Sequence, residues 1–312
     1  MSSSDTATLD AIVLAGTDDN PRRMIQGQNK AFLEIGGRSL VERAVSALLA
    51  AESIGQVFVV GPVERLQQAL GPRGGRVSLV PQVGKMLANA WEAIHASEAQ
   101  SGQDDPLRPL LFISSDLPLV SAAAIDDFVR RCRHEDALVD KPYSMLAGVA
   151  EEASLEPYYP SGERAGIVRP YVHLEECRVR LANIYVGRPR SLTNPAFLQT
   201  GFEHRKAEKW KNVLGLAWRF LSQDGGLNAA WVTLKLQATL LAAPGGGHWY
   251  RRLRAANTVE RIESACSRVI GGGVRMVISP YGGLSLDADN EDDFRVISAR
   301  FEDWVGIDPV GS

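Results

Sequence analysis

The first part of the chain alternates short β-branched runs with amphipathic helical patterns, and this alternation limits the fold to a small set. Four apolar runs have the length and composition of buried strands: Ala11–Leu14, Val57–Val60, Val77–Val80 and Leu110–Ile113. A stretch with apolar residues at helical spacing follows each of them: Ser39–Ala51, Val63–Leu70, Lys85–Ser97 and Ala122–Cys132. Ser39 is predicted as the N-cap of the first stretch, with Glu42 three residues further on. Strands that alternate with helices predict an α/β fold, a mostly parallel, Rossmann-like sheet with helices on both faces.

The second half is less regular and predicts an insertion into this sheet. Strand-like pieces at residues 171–174 and 179–185 precede a helix-like stretch at 197–241, which Gly225 and Gly226 divide. A further helix, strand and closing helix are predicted at residues 258–270, 274–279 and 292–304. We therefore predict three parts: an α/β core at 1–139, a partly helical insertion at 140–257, and a segment at 258–312 that completes the core.

Composition excludes several functional classes. The chain has 312 residues and a formal net charge of -3, so no overall field attracts nucleic acid. Its three cysteines show no CxxC spacing, which argues against a zinc site or a disulfide framework. The polar N-terminus lacks the pattern of a signal peptide, and the longest apolar candidate, residues 229–243, contains Lys235 and Gln237. We expect a cytoplasmic protein without a membrane span.

The segment after the first strand has the features of a phosphate-binding loop. A strand that enters a glycine-containing loop exposes backbone N–H groups to phosphate oxygens, and nearby cations supply the charge that a triphosphate requires. The residues concerned are Leu14, Ala15, Gly16, Thr17, Arg22, Arg23 and Lys30.

Two other segments carry carboxylates where a metal ion could bind. Asp116 follows an apolar strand, at the edge where open α/β sheets bind ligands. Asp287 and Asp289 alternate, so in an extended chain their side chains point to the same side. Mg²⁺ prefers oxygen ligands and needs only one or two carboxylates besides the substrate phosphates. Beyond them, Asn290 is predicted as the N-cap of the last helix, with Asp293 at the capping-box position.

These three segments resemble the nucleotidyltransferase family that includes the molybdenum-cofactor and sugar-phosphate nucleotidylyltransferases, the MobA-like NTP transferase domain. The resemblance covers about residues 9–135 and 258–304. It implies a sheet of the nucleotide-diphospho-sugar transferase type and nucleotide contacts from the loop after the first strand. It also implies phosphate binding by Arg23 and Lys30, and a Mg²⁺ site formed by three carboxylates, those of Asp116, Asp287 and Asp289. A shorter match in the helix that starts near Gly84 implies that Lys85 and Asn89 lie near the base and ribose.

The implied activity is Mg²⁺-dependent transfer of a nucleoside monophosphate from a nucleoside triphosphate to a small acceptor, with release of pyrophosphate. Arg23 and Lys30 would stabilise the departing pyrophosphate. The core at 1–139 is expected to bind the nucleotide and the insertion at 140–257 the acceptor. The acceptor stays open between a sugar 1-phosphate, a phosphorylated polyol and a pterin-like cofactor precursor. Base preference and oligomeric state are not specified by these residues.

Two alternatives remain. A glycosyltransferase that uses a nucleotide sugar would place an Asp-x-Asp motif at the end of the middle strand, where this chain has Ser114, Ser115 and Asp116. A non-catalytic nucleotide-binding protein is suggested by Thr17, because the family usually has a second glycine at that position.

Overall fold

The structure, a computed structural model, describes residues 7–16, 24–102, 105–195 and 226–307. Its strands are β1 Leu9–Leu14, β2 Met24–Ile25, β3 Gln28–Asn29, β4 Glu34–Ile35, β5 Arg38–Ser39, β6 Ile54–Gly61, β7 Val77–Pro81, β8 Leu110–Ser114, β9 Met145–Glu151, β10 Val172–His173, β11 Arg178–Gly187 and β12 Val274–Ser279. Its helices are α1 Leu40–Ala50, α2 Val63–Leu70, α3 Met86–Ser101, α4 Ala122–Ala137, α5 Glu152–Leu155, α6 Gly226–Ala242, α7 His248–Ala255, α8 Val259–Ile270 and α9 Glu291–Trp304.

Eight strands form one sheet in the order β12-β9-β11-β8-β1-β6-β7, with β10 paired to the start of β11. The pairs β8–β1, β1–β6, β6–β7 and β12–β9 are parallel, whereas β11 is antiparallel to both β8 and β9. Because β11 reverses direction between two parallel parts, β8, β9 and β12 all end at the same edge as β1. The predicted fold class is confirmed.

Helices cover both faces of this sheet. Neighbouring residues of β1 point to opposite faces: Val13 joins the cluster that contains buried residues of α1, α2 and α4, and Ile12 joins the cluster that contains those of α3. Strands buried on both faces have continuous apolar sequences, which is why the runs in the sequence located them.

A separate apolar cluster holds the C-terminal helix. Phe294, Ile297, Phe301 and Trp304 of α9 pack with residues of the β4–β5 hairpin and of the segment 155–171. The Trp304 and Tyr158 rings meet edge to face with their centroids 5.4 Å apart. This cluster anchors the chain immediately after Asp287 and Asp289.

The range 140–257 contributes strands to the sheet as well as helices. β9 and β11 both come from this range, and β11 lies between β9 and β8. The described part of the predicted helical stretch 197–241 begins with α6, and the remainder lies outside the described residues. Acceptor binding by this range stays a prediction. Within the described parts of the chain, no helix is long and apolar enough to cross a bilayer.

Residue type and spacing in the sequence predicted where α1 and α9 begin. The Ser39 hydroxyl accepts from the Glu42 N–H at 3.3 Å, and the Asn290 side chain accepts from the Asp293 N–H at 2.9 Å. Both are N-caps that the sequence predicts from residue type and spacing.

Phe128 of α4 is fully buried in the cluster that joins α1 and α4 to the sheet. We predict that Phe128→Ala lowers the free energy of unfolding by about 3–5 kcal/mol, because a large cavity replaces the ring. Phe128→Leu, which retains most of the volume, should lower it by about 1 kcal/mol. Urea unfolding measures both values, and equal losses in the two variants would contradict this packing.

His173 is expected to make the stability of the folded protein depend on pH. Its Nδ1 lies 2.8 Å from the Tyr250 hydroxyl, a contact that joins β10 to α7. Burial, and then Arg178 and Arg254, lower the pKa of His173, while Glu152 opposes them. The His173 imidazole therefore becomes protonated at a higher pH in the unfolded chain than in the folded chain. As a result, the contribution of His173 to stability is present above its ordinary pKa. That contribution is lost as the pH falls below this value.

We therefore expect the free energy of unfolding of His173→Gln to fall less than that of the wild type between about pH 7 and pH 5. Chemical denaturation at several pH values measures this difference. Parallel curves for the two proteins would contradict it.

Candidate nucleotide site

The chain that leaves β1 is fixed by both neighbouring strands. Leu14 ends β1, and its carbonyl accepts from the Ser115 hydroxyl beyond β8 at 3.0 Å. The Ala15 N–H donates to the Val60 carbonyl of β6 at 3.0 Å. The first two predicted nucleotide-binding residues therefore lie at the carboxyl ends of three adjacent parallel strands, where open α/β sheets bind ligands.

Gly16 is confined by a side chain from α3. A Cβ atom at Gly16 would lie 2.8 Å from Asn89 Nδ2, so a larger residue would displace this amide. The buried Asn89 side chain accepts from the N–H groups of Val83 and Gly84 at 2.8 and 3.0 Å and donates to the Gly84 carbonyl at 3.0 Å. Asn89 thus shapes the loop that faces Gly16.

Lys85 is the N-cap residue of α3 and is exposed. The positive end of the α3 dipole and the backbone N–H groups of its first turn are suited to an anion. Nucleotide binding by Lys85 and Asn89 stays a prediction.

Lys30 lies between two of the predicted carboxylates. Its Nζ is 3.0 Å from Asp289 Oδ1 and 3.8 Å from Asp116 Oδ2, and all three side chains are largely buried. The Ser114 hydroxyl donates to the other oxygen of Asp116. These contacts bring residues from the first loop, the end of β8 and the C-terminal segment to one point.

The backbone around Lys30 is fixed by Asn29. The Asn29 side chain caps the 3₁₀ turn Lys30–Phe32 by accepting from the Ala31 N–H at 3.0 Å. Its amide nitrogen also donates to the Gly16 carbonyl at 3.5 Å. Asn29 therefore connects the loop after β1 to the lysine, a role that the sequence analysis missed, although an Asn before a short turn is a capping signal.

Asp287 lies beside a different cation. Its buried carboxylate is 3.5 Å from Arg180 Nη2, and Arg180 Nε donates to the Ser285 carbonyl at 3.1 Å. The preceding 3₁₀ turn, Gly282–Ser285, packs so closely on α5 that a Cβ at Gly282 would lie 2.1 Å from the Ser154 carbonyl oxygen.

Asp116 and Asp289, the two carboxylates beside Lys30, are candidate ligands for a metal ion. Among the residues described, no group of three or more His, Cys, Asp or Glu side chains is arranged to hold a metal ion. Asp116 and Asp289 nevertheless fit the pattern of Mg²⁺, which takes one or two protein carboxylates and completes its shell with water and phosphate oxygens.

Arg169 holds the C-terminal acidic segment in place. It donates from Nη2 to Asp293 Oδ2 at 2.7 Å and to the Asp287 carbonyl at 2.9 Å, and its Nη1 is 3.9 Å from Asp289 Oδ2. Asp293 in turn accepts from the Asp289 N–H at 3.2 Å. The sequence analysis missed Arg169 because it lies in a stretch without periodicity, and only the tertiary fold brings it to α9.

Three predicted residues of the phosphate-binding loop lie outside the described residues: Thr17, Arg22 and Arg23. Their roles in nucleotide binding and catalysis stay predictions.

We predict that Arg169→Met lowers the free energy of unfolding by about 2–4 kcal/mol, because it leaves the buried Asp293 carboxylate and the Asp287 carbonyl without their cation. Arg295→Met is the matched control, because the Arg295 side chain is 76% exposed and pairs with Asp292 at the surface. We expect little change in the control. Equal stabilities of the two variants in urea unfolding would refute the proposed role of Arg169.

Part of the chain matches a known family, and solved structures share its fold. Residues 11–151 match the family described as the MobA-like NTP transferase domain. A hypothetical transferase from Thermus thermophilus aligns over 92% of this chain and 99% of its own, with 21% identity and a TM-score of 0.56, a likeness that supports the fold. No curated protein matches the sequence.

A more distant solved structure is 4-diphosphocytidyl-2C-methyl-D-erythritol synthase from Anaerococcus prevotii, which is 11% identical and has a TM-score of 0.46. The alignment covers 96% of this chain and 100% of the synthase. A CMP:2-keto-3-deoxy-manno-octonic acid synthetase complexed with CTP is 12% identical and has a TM-score of 0.45. The alignment covers 95% of this chain and 99% of the synthetase. The residues that match the MobA-like NTP transferase domain, 11–151, include β1, β8, Lys30 and Asp116.

Proposed function

We propose that this protein is a nucleotidyltransferase, which transfers a nucleoside monophosphate from a nucleoside triphosphate to a small phosphorylated or hydroxylated acceptor and releases pyrophosphate. The observation that carries the proposal is the position of Lys30 between Asp116 and Asp289, at the edge of the sheet where Gly16 leaves β1. The family of residues 11–151 supports the same activity.

In this proposal the loop and α3 bind the nucleotide. The backbone after Leu14 and the first turn of α3 present N–H groups to phosphate oxygens. Asn89 keeps the 83–84 loop in position, and Lys85 adds a positive charge at the start of the helix. Arg22 and Arg23, together with Thr17, complete the phosphate-binding loop that the sequence predicts.

Asp116 and Asp289 are the proposed metal ligands. When bound to their oxygens, Mg²⁺ would supply positive charge to the phosphate groups. Asp287 is proposed as the third ligand, which requires its contact with Arg180 to open in the bound state. Lys30 keeps the two aspartates near each other in the free protein and exchanges one of these contacts for a phosphate oxygen when the nucleotide binds.

The chemical step is an in-line displacement at the α-phosphorus. An acceptor oxygen forms the new bond to phosphorus while the bond to the bridging oxygen of pyrophosphate breaks. Lys30 and Arg23 stabilise the negative charge that develops on the leaving pyrophosphate. The acceptor is proposed to bind residues of the 140–257 range.

We predict that the wild type releases pyrophosphate from one of ATP, GTP, CTP or UTP when Mg²⁺ and an acceptor from a panel of phosphorylated and hydroxylated compounds are present. Asp116→Asn and Asp289→Asn should each lower kcat/KM by about 100-fold or more, because each removes a carboxylate that would hold Mg²⁺ at the phosphates. Asp292→Asn is the control, since that side chain is 83% exposed in the first turn of α9.

Full activity in Asp116→Asn would contradict the proposed site. Nucleotide binding without turnover on any acceptor would favour the non-catalytic alternative. Hydrolysis or transfer of a nucleotide sugar would favour the glycosyltransferase.

A further inference from the structure

The helices α6 and α7 form a segment with positive charge and no acidic residue. Residues 226–255 contain Lys235, Arg251, Arg252 and Arg254 but neither Asp nor Glu, although the whole chain has a net charge of -3. None of these four cations is among the residues proposed to bind the nucleotide or the metal ion.

Large apolar side chains on the same two helices are exposed. Trp231, Leu241 and Trp249 have relative exposures of 58%, 62% and 72%. Leu241 is close to the end of α6 and Trp249 lies in the first turn of α7, with only the short connection Ala243–Gly247 between the helices. Single exposed apolar residues are common, but several of them next to a group of cations mark an interaction surface.

The orientation of α7 is set by its inner face. Tyr250 is buried and contacts His173, and Arg254 donates from Nε to the Leu174 carbonyl at 2.5 Å. These contacts leave Trp249, Arg251 and Arg252 exposed on the outer side of the helix.

A second group of cations lies around a groove beside α6. It has a volume of about 360 Å³ and is lined by residues of α6 and α8, among them Trp231, Lys235, Arg261 and Arg268. Glu260 is the one carboxylate among the described residues that line it. Three cations and an aromatic ring around a groove of this size suit a phosphate-bearing headgroup.

We propose that the surface formed by α6 and α7 docks on a bilayer that contains anionic phospholipids. Tryptophan side chains partition to the membrane–water interface, and arginine and lysine side chains contact lipid phosphates there. The exposed Trp249 and Leu241 enter the interface, Arg251 and Arg252 bind headgroups, and the groove next to Trp231 takes a headgroup phosphate. The charge complementarity to an anionic surface favours a bilayer over a second copy of this chain, whose net charge is low.

The test is flotation of the full chain with vesicles of phosphatidylcholine alone or of phosphatidylcholine with about 30% phosphatidylglycerol. We expect binding to the anionic vesicles only, and a loss of binding as the salt concentration rises, since exposed charges are screened. Arg251→Glu/Arg252→Glu and Trp249→Ala should each lower the bound fraction by about five-fold or more. The first variant removes the charge attraction to the headgroups, and the second removes an apolar side chain that enters the interface.

Two controls match these variants. Arg38→Glu/Lys141→Glu changes the net charge by the same amount at exposed positions on β5 and after α4, and Leu138→Ala removes an apolar side chain that is 64% exposed. Both should bind like the wild type, and all variants should melt at the wild-type temperature. The proposal is overturned if the wild type does not float with anionic vesicles or if the charge control loses binding equally. Absence of flotation, with self-association that Trp249→Ala abolishes, would assign the surface to a second copy of the chain.

Discussion

The ammonium group of Lys30 lies between the carboxylates of Asp116 and Asp289, and much of the structure serves to bring these three side chains together. One comes from the loop after β1, one from the end of β8 and one from the segment before α9. Because a partly buried ammonium group loses hydration, the two nearby carboxylates stabilise it, and it stabilises them. The parallel strands and the N-caps of the short turn and of α9 fix the backbones from which these side chains extend.

The C-terminal segment is held by a different kind of contact from that of the sheet strands. Arg169 binds a carbonyl and a carboxylate there, and the apolar face of α9 packs on the β4–β5 hairpin. Apolar packing positions the helix as a whole, while the directional bonds of Arg169 set the conformation just before it. The candidate site therefore combines a rigid sheet edge with a segment whose position depends on side-chain bonds.

Much of the fold could be predicted from the sequence because its signals are local. The β-branched runs marked β1, β6, β7 and β8, and residue type marked the caps at Ser39 and Asn290. The aspartates were predicted from their place after a strand and from a family resemblance, but Arg169 and Arg180 could not be, because their partners are distant in sequence. Asp287 and Asp289 were expected on one side because alternate residues of a strand share a side. The segment that carries them follows a 3₁₀ turn and pairs with no described strand, so this expectation does not apply to it.

The large sequence separation between Lys30 and Asp289 has a consequence for protein synthesis. A nascent chain that ends after residue 151 already contains β1, β6, β7, β8 and β9, but it lacks β11, β12 and the acidic segment before α9. Such a chain has no partner strand between β8 and β9 and cannot form the Lys30–Asp289 contact. Since domains assemble as their strands leave the ribosome, this candidate site is completed only when nearly the whole chain has been made. Truncated products would then expose an open sheet edge, the kind of surface that chaperones and proteases recognise.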